Sequence, residues 1–398
     1  MKRWIIMLKN KMGMMMLLIF ILILSACGNE DTEVEGSNNP DSGSGSGLIE
    51  GLPDKMVWSV YDVGSGGYTE ATAIANEITK KYGTQIRLLP SSSGVGRMQP
   101  MKSGAADVGR LGDEYQFAFE GIDDFATEKW GPQDVRVVWP PLSFLGFVGL
   151  EKSGIETIAD LKGKKVPFII GNSSVNIKLE ATLAFADLTW DDVQKVELSD
   201  YGGQAEALKN GQVDIIFINP TASVLIELET MEKIKWLEME ESDTEGWARA
   251  QEIAPWMQPY MMDNGAGMTK ENPVTIIGYA YPVVAYADQS KESMYAYVKS
   301  MDETYDSWEN AAANLHNWHK DSILIQPAGV PLHDGMIQFL EEEGLWTEEY
   351  QTKNDELVER SKKLKEAWNE TVSKAKEEKI SEKDFPKYWM SMKKELIK

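Results

Sequence analysis

Four short turns rich in glycine, serine and asparagine stand between predicted strands and the helices that follow them. The first is Gly64-Ser65-Gly66-Gly67-Tyr68, which ends a strand-like run that begins at Val57. Small side chains here leave the first backbone N–H groups of the next helix open to a ligand, and those groups carry the positive end of the helix dipole. The chemistry that this pattern favours is the binding of an anion, without a covalent step.

The other three turns are Ser91–Arg97, Gly112–Asp113 and Gly171–Asn176. In open α/β sheets, ligands bind beyond the carboxyl ends of the strands, where such turns lie. We therefore expect the first three turns to share one rim. The fourth turn and Asn219, which also follows a buried-looking strand, are expected on a facing rim.

The candidate ligand-binding residues are the small and polar members of these turns, with one arginine. They are Ser65, Gly66, Gly67, Tyr68, Ser92, Ser93 and Arg97 on the first rim, and Ser173, Ser174, Asn176 and Asn219 on the second. A guanidinium group can hold a carboxylate through two parallel hydrogen bonds, which makes Arg97 the strongest single candidate. Arg110 follows a strand and is the alternative anion-binding arginine.

Other kinds of site fit the residues poorly. A dinucleotide-binding turn needs a third glycine where Thr69 stands, and an acidic residue at the end of a strand that ends at Pro90. His316 and His319 have no third ligand nearby and make a poor zinc site. There is no nucleophile beside a base with the logic of a catalytic triad. The sequence therefore predicts no enzyme, no cofactor and no metal.

The first 53 residues carry export and anchoring signals. Residues 1–26 combine a basic start with an apolar run, Met12–Leu24, which is typical of a secretory signal and short for a membrane span. The run ends in Leu24-Ser25-Ala26-Cys27, which resembles a bacterial lipobox, so Cys27 is the predicted lipidation site. Residues 27–53 have the composition of a flexible linker.

The charge of the chain limits its partners. The formal net charge is −23, and the first 26 residues carry four positive charges and no acids, so the remainder is near −27. Such a surface repels nucleic acid and anionic lipid. A local arginine and a ring of backbone N–H groups can still hold a small anion, because salt screens distant charges beyond about 10 Å.

Two apolar extended passages divide the folded part. Val135–Leu150 and Thr275–Ala287 are predicted strands that cross between two lobes and form a hinge. Helical spacing of apolar residues predicts helices within 291–325 and over 355–376. The resulting divisions are lobe 1 at 54–140, lobe 2 at 141–278, and a return to lobe 1 with C-terminal helices at 279–398.

The order of the motifs resembles the TAXI family of TRAP-transporter solute-binding proteins. Four blocks carry the resemblance, with a fifth, weaker one near the C-terminus: Gly64–Tyr68, Ser91–Asp107, Ser153–Ile155 with Asp160–Lys164, Ala207–Asp214, and the weaker Gly329–Gly335. The chain departs from the family where Thr69-Glu70 follows Tyr68, where Arg97 replaces a usual asparagine, and where Arg110 replaces a usual apolar residue. These departures affect the expected identity of the solute more than the expected fold.

The resemblance implies an α/β fold of the two-lobed, type II periplasmic-binding-protein kind. It also implies a receptor that captures a small organic anion, such as glutamate or a dicarboxylate, and delivers it to a TRAP-type permease. We expect a lipid-anchored monomer on the extracytoplasmic face of the cell membrane. Two alternatives stay open: the binding protein of an ABC importer, and an exported α/β enzyme with a titratable pair in its cleft.

Overall fold

The computed structural model describes residues 49–326 and 329–397, which belong to one compact unit, Ser46–Lys398. The predicted signal peptide (1–26), the predicted lipidation site Cys27 and most of the predicted linker (27–53) lie outside the described residues. In the part of the chain that the structure describes, no helix is both long and apolar enough to cross a membrane.

Strands and helices alternate through most of the chain. The strands are β1 Lys55–Val60, β2 Gln85–Pro90, β3 Val108–Arg110, β4 Val135–Trp139, β5 Leu142–Leu150, β6 Lys165–Ile169, β7 Gln194–Leu198, β8 Ile216–Ile218, β9 Ile234–Trp236, β10 Gln258–Met262, β11 Val274–Ala280 and β12 Val283–Tyr286. The helices are α1 Gly66–Tyr82, α2 Gly94–Lys102, α3 Glu114–Glu120, α4 Ser173–Phe185, α5 Gln204–Lys209, α6 Ser223–Met231, α7 Thr244–Ile253, α8 Lys291–Trp308, α9 Asp334–Glu342, α10 Glu348–Glu378 and α11 Phe385–Leu396.

The first lobe is built on a five-stranded sheet in the order β2-β1-β3-β12-β4. β1 pairs in parallel with β2 and β3, whereas β12 runs antiparallel to β3 and β4. α1 is the crossover from β1 to β2, and Ile74 and Ile78 lie on its buried face. Because β1, β2 and β3 run in the same direction, the turns that follow them meet at one edge of the sheet.

The second lobe has its own sheets and its own core. β10, β11, β5 and β8 form an antiparallel sheet, β9 also pairs with β5, and β6 pairs in parallel with β7. α4 follows β6, and the Asn172 side chain caps it by accepting a hydrogen bond from the Val175 N–H at 3.1 Å. Phe144, Phe147 and Phe217 are fully buried in this core, which is separate from the core of the first lobe.

The chain passes between the lobes twice. β4 continues into β5 through Pro140-Pro141, and β11 continues into β12 through Tyr281-Pro282. The passages are neighbours, since the Tyr281 N–H donates to the Pro141 carbonyl at 3.0 Å. Prolines lack an N–H and therefore interrupt strand pairing at these points. The predicted fold class, two α/β lobes with a hinge of two crossing strands and extra C-terminal helices, is confirmed.

The C-terminal helices extend the core of the first lobe. In α10 and α11, the Trp368 ring packs at 5.2 Å from Phe385 and 4.8 Å from Trp389, and the Trp389 indole N–H donates to the Gly121 carbonyl at 2.7 Å. The helix predicted over 355–376 falls inside α10. The one predicted over 291–325 ends at Trp308, because the chain then turns back to bury Leu315 and Trp318 in a short 3₁₀ turn.

Candidate functional site

A gap lies between the two lobes, beyond the carboxyl end of β1. The gap is narrow: the volume open to the centre of a water-sized sphere is about 20 Å³, and the space free of atoms, counted together with the opening to solvent, is about 290 Å³. Its walls come from both lobes and from the crossing strands: Tyr61, Ser65, Gly66, Gly67, Ser143, Leu145, Val175, Tyr201, Asn219, Tyr279 and Tyr281. None of these side chains is charged at neutral pH, so hydroxyl groups and amides provide the polar part of the lining.

The N-terminus of α1 forms one wall of this gap. The Ser65 side chain caps the helix by accepting from the Tyr68 N–H at 3.1 Å. The N–H groups of Gly66 and Gly67 belong to the first turn, where an α-helix has no internal acceptor for them. A helix of 17 residues therefore directs two N–H groups and the positive end of its dipole toward the gap.

Glycine is required at both positions because the other lobe and the hinge press against this turn. A Cβ atom on Gly66 would lie 2.7 Å from the Thr221 Oγ1 and 2.9 Å from the Asn219 Oδ1. A Cβ atom on Gly67 would lie 2.3 Å from the Tyr281 hydroxyl oxygen. The lobes are thus in close contact around the helix N-terminus, which is a closed arrangement.

Four tyrosines surround the gap. The Tyr61 ring meets Tyr201 at 5.9 Å and Tyr281 at 5.6 Å, both nearly edge to face, and Tyr279 lies 6.2 Å from Tyr281. Burial raises the pKa of all four hydroxyl groups above the ordinary value of 10.0. The hydroxyls therefore stay protonated near neutral pH and can act as hydrogen-bond donors.

Three buried ion pairs stand behind these tyrosines. The first joins Arg97 to Glu114, and both side chains are fully buried. The Arg97 guanidinium lies 3.4 Å from the centre of the Tyr61 ring and donates to the Ser91 carbonyl at 2.7 Å. The Tyr61 hydroxyl donates to the Glu114 Oε1 at 3.0 Å, so ring, cation and carboxylate form one cluster.

The second ion pair joins Arg110 to Glu70 at 2.5 Å. The Arg110 guanidinium lies 4.0 Å from the centre of the Tyr281 ring. Asn314 donates to the second oxygen of Glu70 at 3.0 Å. The carboxylate is thereby neutralised and hydrogen-bonded within the protein, as a buried charge must be.

The third ion pair, Lys178 with Asp113, crosses from one lobe to the other. Lys178 in α4 also donates to the Ser174 carbonyl and hydroxyl oxygens, each at 2.9 Å, and lies 4.3 Å from the centre of the Tyr279 ring. The Ser174 hydroxyl in turn accepts from the Asp113 N–H at 2.8 Å. Burial raises the pKa of the Asp113 carboxyl to about 6, against the opposing effect of Lys178.

Further hydrogen bonds join the lobes at the rim of the gap. The Gly202 N–H donates to the Asp62 carboxylate at 2.7 Å, and burial raises the pKa of that carboxyl. The Asn172 amide donates to the Ser92 carbonyl at 2.9 Å. Each of these contacts joins one lobe to the other, so opening the gap would exchange them for water.

The predicted candidates fall into three groups. Ser65, Gly66, Gly67 and Asn219 lie in the lining of the gap. Residues of the second group lie at the lobe–lobe contact: Ser92 through its carbonyl, Ser93 as the cap of α2 beside Gly171, Ser173 bonded to Asp124 at 3.0 Å, and Ser174 bonded to Asp113.

The third group comprises Tyr68, Arg97 and Asn176. Tyr68 packs against the first core, and the Asn176 side chain bonds the backbone of Ile169. Arg97 is held by Glu114 rather than exposed in the gap. Solute binding by these residues stays a prediction.

Sequence reasoning missed the aromatic part of the lining. Tyr61 lies three residues before Gly64 of the first glycine-rich turn, and Tyr279 and Tyr281 lie in the second crossing passage, which is predicted as part of the hinge but not of the lining. A usable signal exists, because residues where a chain crosses between lobes border any gap between them. Ser143, in the first crossing passage, has the same signal, whereas Tyr201 has none.

Replacing Ser65 by alanine tests whether the start of α1 belongs to the site. Loss of this cap is expected to lower the free energy of unfolding by about 1 kcal/mol and to weaken solute binding. Thr347→Ala is the matched control, because Thr347 caps α10 in the same way, by accepting from the Tyr350 N–H at 3.2 Å. Denaturant unfolding should show similar losses for both variants; equal affinities by calorimetry would remove this helix end from the site.

Comparison with known proteins gives one family and a set of solved structures. The model of the NMT1-like family matches residues 64–344. The search of curated proteins found no match. Similar solved structures include a protein from Bordetella bronchiseptica, with 18% identity, 76% of this chain and 98% of that chain covered, and a TM-score of 0.43.

Two further similar structures belong to named binding proteins. One is the amino acid ABC transporter substrate-binding protein AbpA from Streptococcus pneumoniae, bound to L-arginine, with 16% identity, 68% and 94% coverage, and a TM-score of 0.38. The other is the periplasmic aliphatic sulphonate binding protein SsuA from Escherichia coli, with 18% identity, 73% and 90% coverage, and a TM-score of 0.39.

Proposed function

This chain belongs to the NMT1-like family, and we propose that it is an extracytoplasmic solute-binding lipoprotein that delivers a small organic anion to a TRAP-type membrane transporter. The solute class is a carboxylate or an amino acid such as glutamate. The observation that carries the proposal is the gap between the lobes, whose walls combine the N-terminus of α1 with hydroxyl groups from both lobes.

Capture follows from the two lobes and the hinge. In the open form a solute first meets the N–H groups of Gly66 and Gly67 on the first lobe. Hinge motion then brings Tyr201 and Asn219 of the second lobe over it. Closure excludes water, which strengthens each hydrogen bond to the solute.

An anion is favoured although the nearby cations are already paired. Arg97, Arg110 and Lys178 are neutralised by their carboxylate partners, so they add no net charge to the gap. The remaining attraction comes from the dipole of α1 and from hydroxyl donors that stay protonated. Such a site holds one negative group by oriented donors rather than by a free cation.

The same lining argues against catalysis as the function. Tyrosines with a raised pKa stay protonated near neutral pH and cannot act there as general bases, and among the described residues no carboxylate, histidine or lysine is hydrogen-bonded to the Ser65 or Ser143 hydroxyl. In the described part of the chain, no group of three or more His, Cys, Asp or Glu is placed to hold a metal ion. A receptor that releases its solute unchanged needs neither a general base nor a metal ion.

The transporter and the membrane anchor are proposed from the sequence. The five blocks that resemble the TAXI family favour a TRAP permease as partner, and Cys27 is the proposed lipid-carrying residue. We propose a monomer that is tethered on the extracytoplasmic face of the cell membrane. Permease genes of the ABC class beside this gene would instead favour an ABC importer.

Cys27→Ser is expected to release the protein from membranes, because the lipid chains on this residue are the proposed anchor. Ser37→Ala, in the same segment, is the matched control. Sedimentation of cell membranes should retain the control and leave the Cys27 variant in the supernatant. Retention of both would exclude lipidation as the anchor.

A thermal-shift screen of organic anions on the chain without residues 1–27 tests the binding function. A solute present at 100 times its Kd adds about 2.7 kcal/mol to the free energy of unfolding, which is several degrees in melting temperature. Carboxylates and amino acids are expected to shift the transition, and sugars of similar size are not. A shift by sugars alone would contradict the anionic solute.

A further inference from the structure

The hydroxyl group of Tyr281 is a buried donor that adjoins the start of α1 in the gap. Tyr281 lines the gap and is 5% exposed, and its hydroxyl has no hydrogen-bond partner among the described residues. A Cβ atom on Gly67 would lie 2.3 Å from the hydroxyl oxygen, which places this donor beside the first turn of the helix. The N–H groups of Gly66 and Gly67 also lack an acceptor within the helix. Three donors are therefore grouped where one anionic group can accept from them.

The charges around Tyr281 make its surroundings favourable to a negative group. Burial raises the pKa of the hydroxyl. Among the surrounding charges, Arg110 and Arg97 have the largest effects, and both lower this pKa. The opposing effects of Glu70 and Glu114 are smaller. A field that stabilises a phenolate also stabilises another anion at the same place and disfavours a cation. The two ion pairs thus favour an anion here, although neither pair carries a net charge.

Cations of the protein already cover the tyrosine rings of the gap. One guanidinium lies 3.4 Å from the centre of the Tyr61 ring, and another lies 4.0 Å from the centre of the Tyr281 ring. The Lys178 ammonium lies 4.3 Å from the centre of the Tyr279 ring. The face of an aromatic ring attracts a cation, but a second cation near the same ring is repelled by the first. An ammonium group on the solute would therefore gain little from these rings.

The lining also offers no carboxylate to an ammonium group. None of the residues that line the gap is acidic. The three carboxylates behind the tyrosines each hold a cation of the protein, and the Asp62 carboxylate at the rim accepts from the Gly202 N–H at 2.7 Å. An ammonium group brings three N–H donors and no acceptor, so it would meet mainly other donors. Burying such a charge without a partner is costly.

The size of the gap limits the solute further. The volume open to the centre of a water-sized sphere is about 20 Å³, which is room for about two water molecules. An acid with a short carbon skeleton suits this space better than glutamate does. A second carboxylate would bury a second negative charge, and none of the described residues that line the gap is a cation that can pair with it.

We propose that the gap selects a short monocarboxylate whose carboxylate is its only charged group, and that it discriminates against amino acids and dicarboxylates. The carboxylate accepts from the N–H groups of Gly66 and Gly67 and from the Tyr281 hydroxyl. An uncharged hydroxyl group on the solute can exchange hydrogen bonds with the hydroxyls of Ser65 and Tyr201, which also line the gap. This inference rests on the proposed function, because it requires that the gap binds an organic anion, and it narrows the solute class.

Four acids test this selection by calorimetry. Glycolate and glycine have the same skeleton and differ in a hydroxyl group against an ammonium group, whereas oxalate carries a second carboxylate at a similar size. Glycolate is expected to bind about tenfold more tightly than glycine or oxalate, because the ammonium group or the second carboxylate would be buried without a partner. Glutamate, the larger amino acid, is expected to bind more weakly than glycolate as well.

Two variants locate the selection at Tyr281. Tyr281→Phe removes one donor and keeps the ring, so it should weaken the binding of glycolate about tenfold. Tyr297→Phe is the matched control, because Tyr297 is fully buried in the core of the first lobe and does not line the gap. The double variant Arg110→Met/Glu70→Gln removes one ion pair without changing the net charge. Because the arginine has the larger effect at Tyr281, the preference for glycolate over glycine should fall severalfold.

The outcomes separate this inference from the proposed function. The selection is overturned, and the anion-binding gap stands, if glycine, oxalate or glutamate binds at least as tightly as glycolate. The same holds if Tyr281→Phe binds glycolate as the Tyr297 control does, or if the double variant keeps the full preference for glycolate over glycine. If none of the four acids binds while another organic anion of the thermal-shift screen does, the selection is likewise overturned. If no organic anion binds, both proposals are overturned.

Discussion

Gly67→Ala is expected to weaken solute binding ten- to hundredfold while leaving the fold intact. The added methyl group would lie 2.3 Å from the Tyr281 hydroxyl oxygen and 3.0 Å from two ring carbons, so closure requires Tyr281 to move. Overpacking of this kind costs about 1–3 kcal/mol, and 1.4 kcal/mol corresponds to a factor of ten in Kd. Alanine is also the better helix former, so the open lobe loses no stability.

Tyr281→Phe provides the internal control for this prediction. It removes the closest atom, so in the double variant Gly67→Ala/Tyr281→Phe the methyl group should cost less than it does alone. Calorimetric titration of the two single variants and the double variant gives the coupling between the positions. If Gly67→Ala binds the solute as the unchanged protein does, the N-terminus of α1 is not part of the site.

Lys178→Met is expected to disfavour the closed form by about 3–5 kcal/mol, because it leaves the Asp113 carboxylate buried without its cation. Lys178 and Asp113 belong to different lobes, and both side chains are 1% exposed in the closed arrangement. Opening the gap returns Asp113 to water, so the cost falls on closure. Lys195→Met, on the surface of the same lobe, is the control.

The effect of Lys178→Met on the stability of the closed form depends on pH. Burial raises the pKa of Asp113 to about 6, so its contribution to closure is complete below its ordinary value of 3.8 and is lost as the pH rises through about 6. Lys178 opposes that rise, and its removal moves the pKa further up. The Lys178 variant should therefore close less well at pH 8 than at pH 5.

Closure can be followed by energy transfer between dyes on the two lobes, attached through Lys80→Cys and Lys209→Cys in a chain that carries Cys27→Ser. Both lysines are exposed. The double variant Lys178→Met/Asp113→Asn also removes the negative charge of the Asp113 carboxylate. Its closed population should therefore be larger than that of Lys178→Met alone. Equal closed fractions at every pH in the single variant and the Lys195 control would show that this pair does not govern closure.

The parts of the site that follow from local sequence could be predicted. The glycine-rich turn before α1 specifies its own geometry, because a strand, small residues and a helix start follow one another within a dozen residues. The two hinge passages were recognisable for the same reason, as apolar runs broken by prolines at Pro140-Pro141 and Pro282. Such features need no knowledge of distant contacts.

The parts that depend on distant contacts could not be predicted. Arg97 looks like an anion-binding residue until Glu114, 17 positions later, is seen to take its charge. Glu70 and Arg110 pair across 40 positions, and Lys178 and Asp113 across 65. Side-chain types along the chain reveal the presence of these charges but not their partners, so the neutral character of the gap emerged only from the fold.

Amide hydrogen exchange, measured with and without the best solute of the thermal-shift screen, shows whether both lobes enclose a small anion at the start of α1. Addition of that solute is predicted to slow exchange at Gly66–Tyr68 in the first lobe and at Tyr201–Gln204 and Asn219–Thr221 in the second. Slower exchange in one lobe alone, or at neither of these edges, would mean that the two lobes do not enclose the solute.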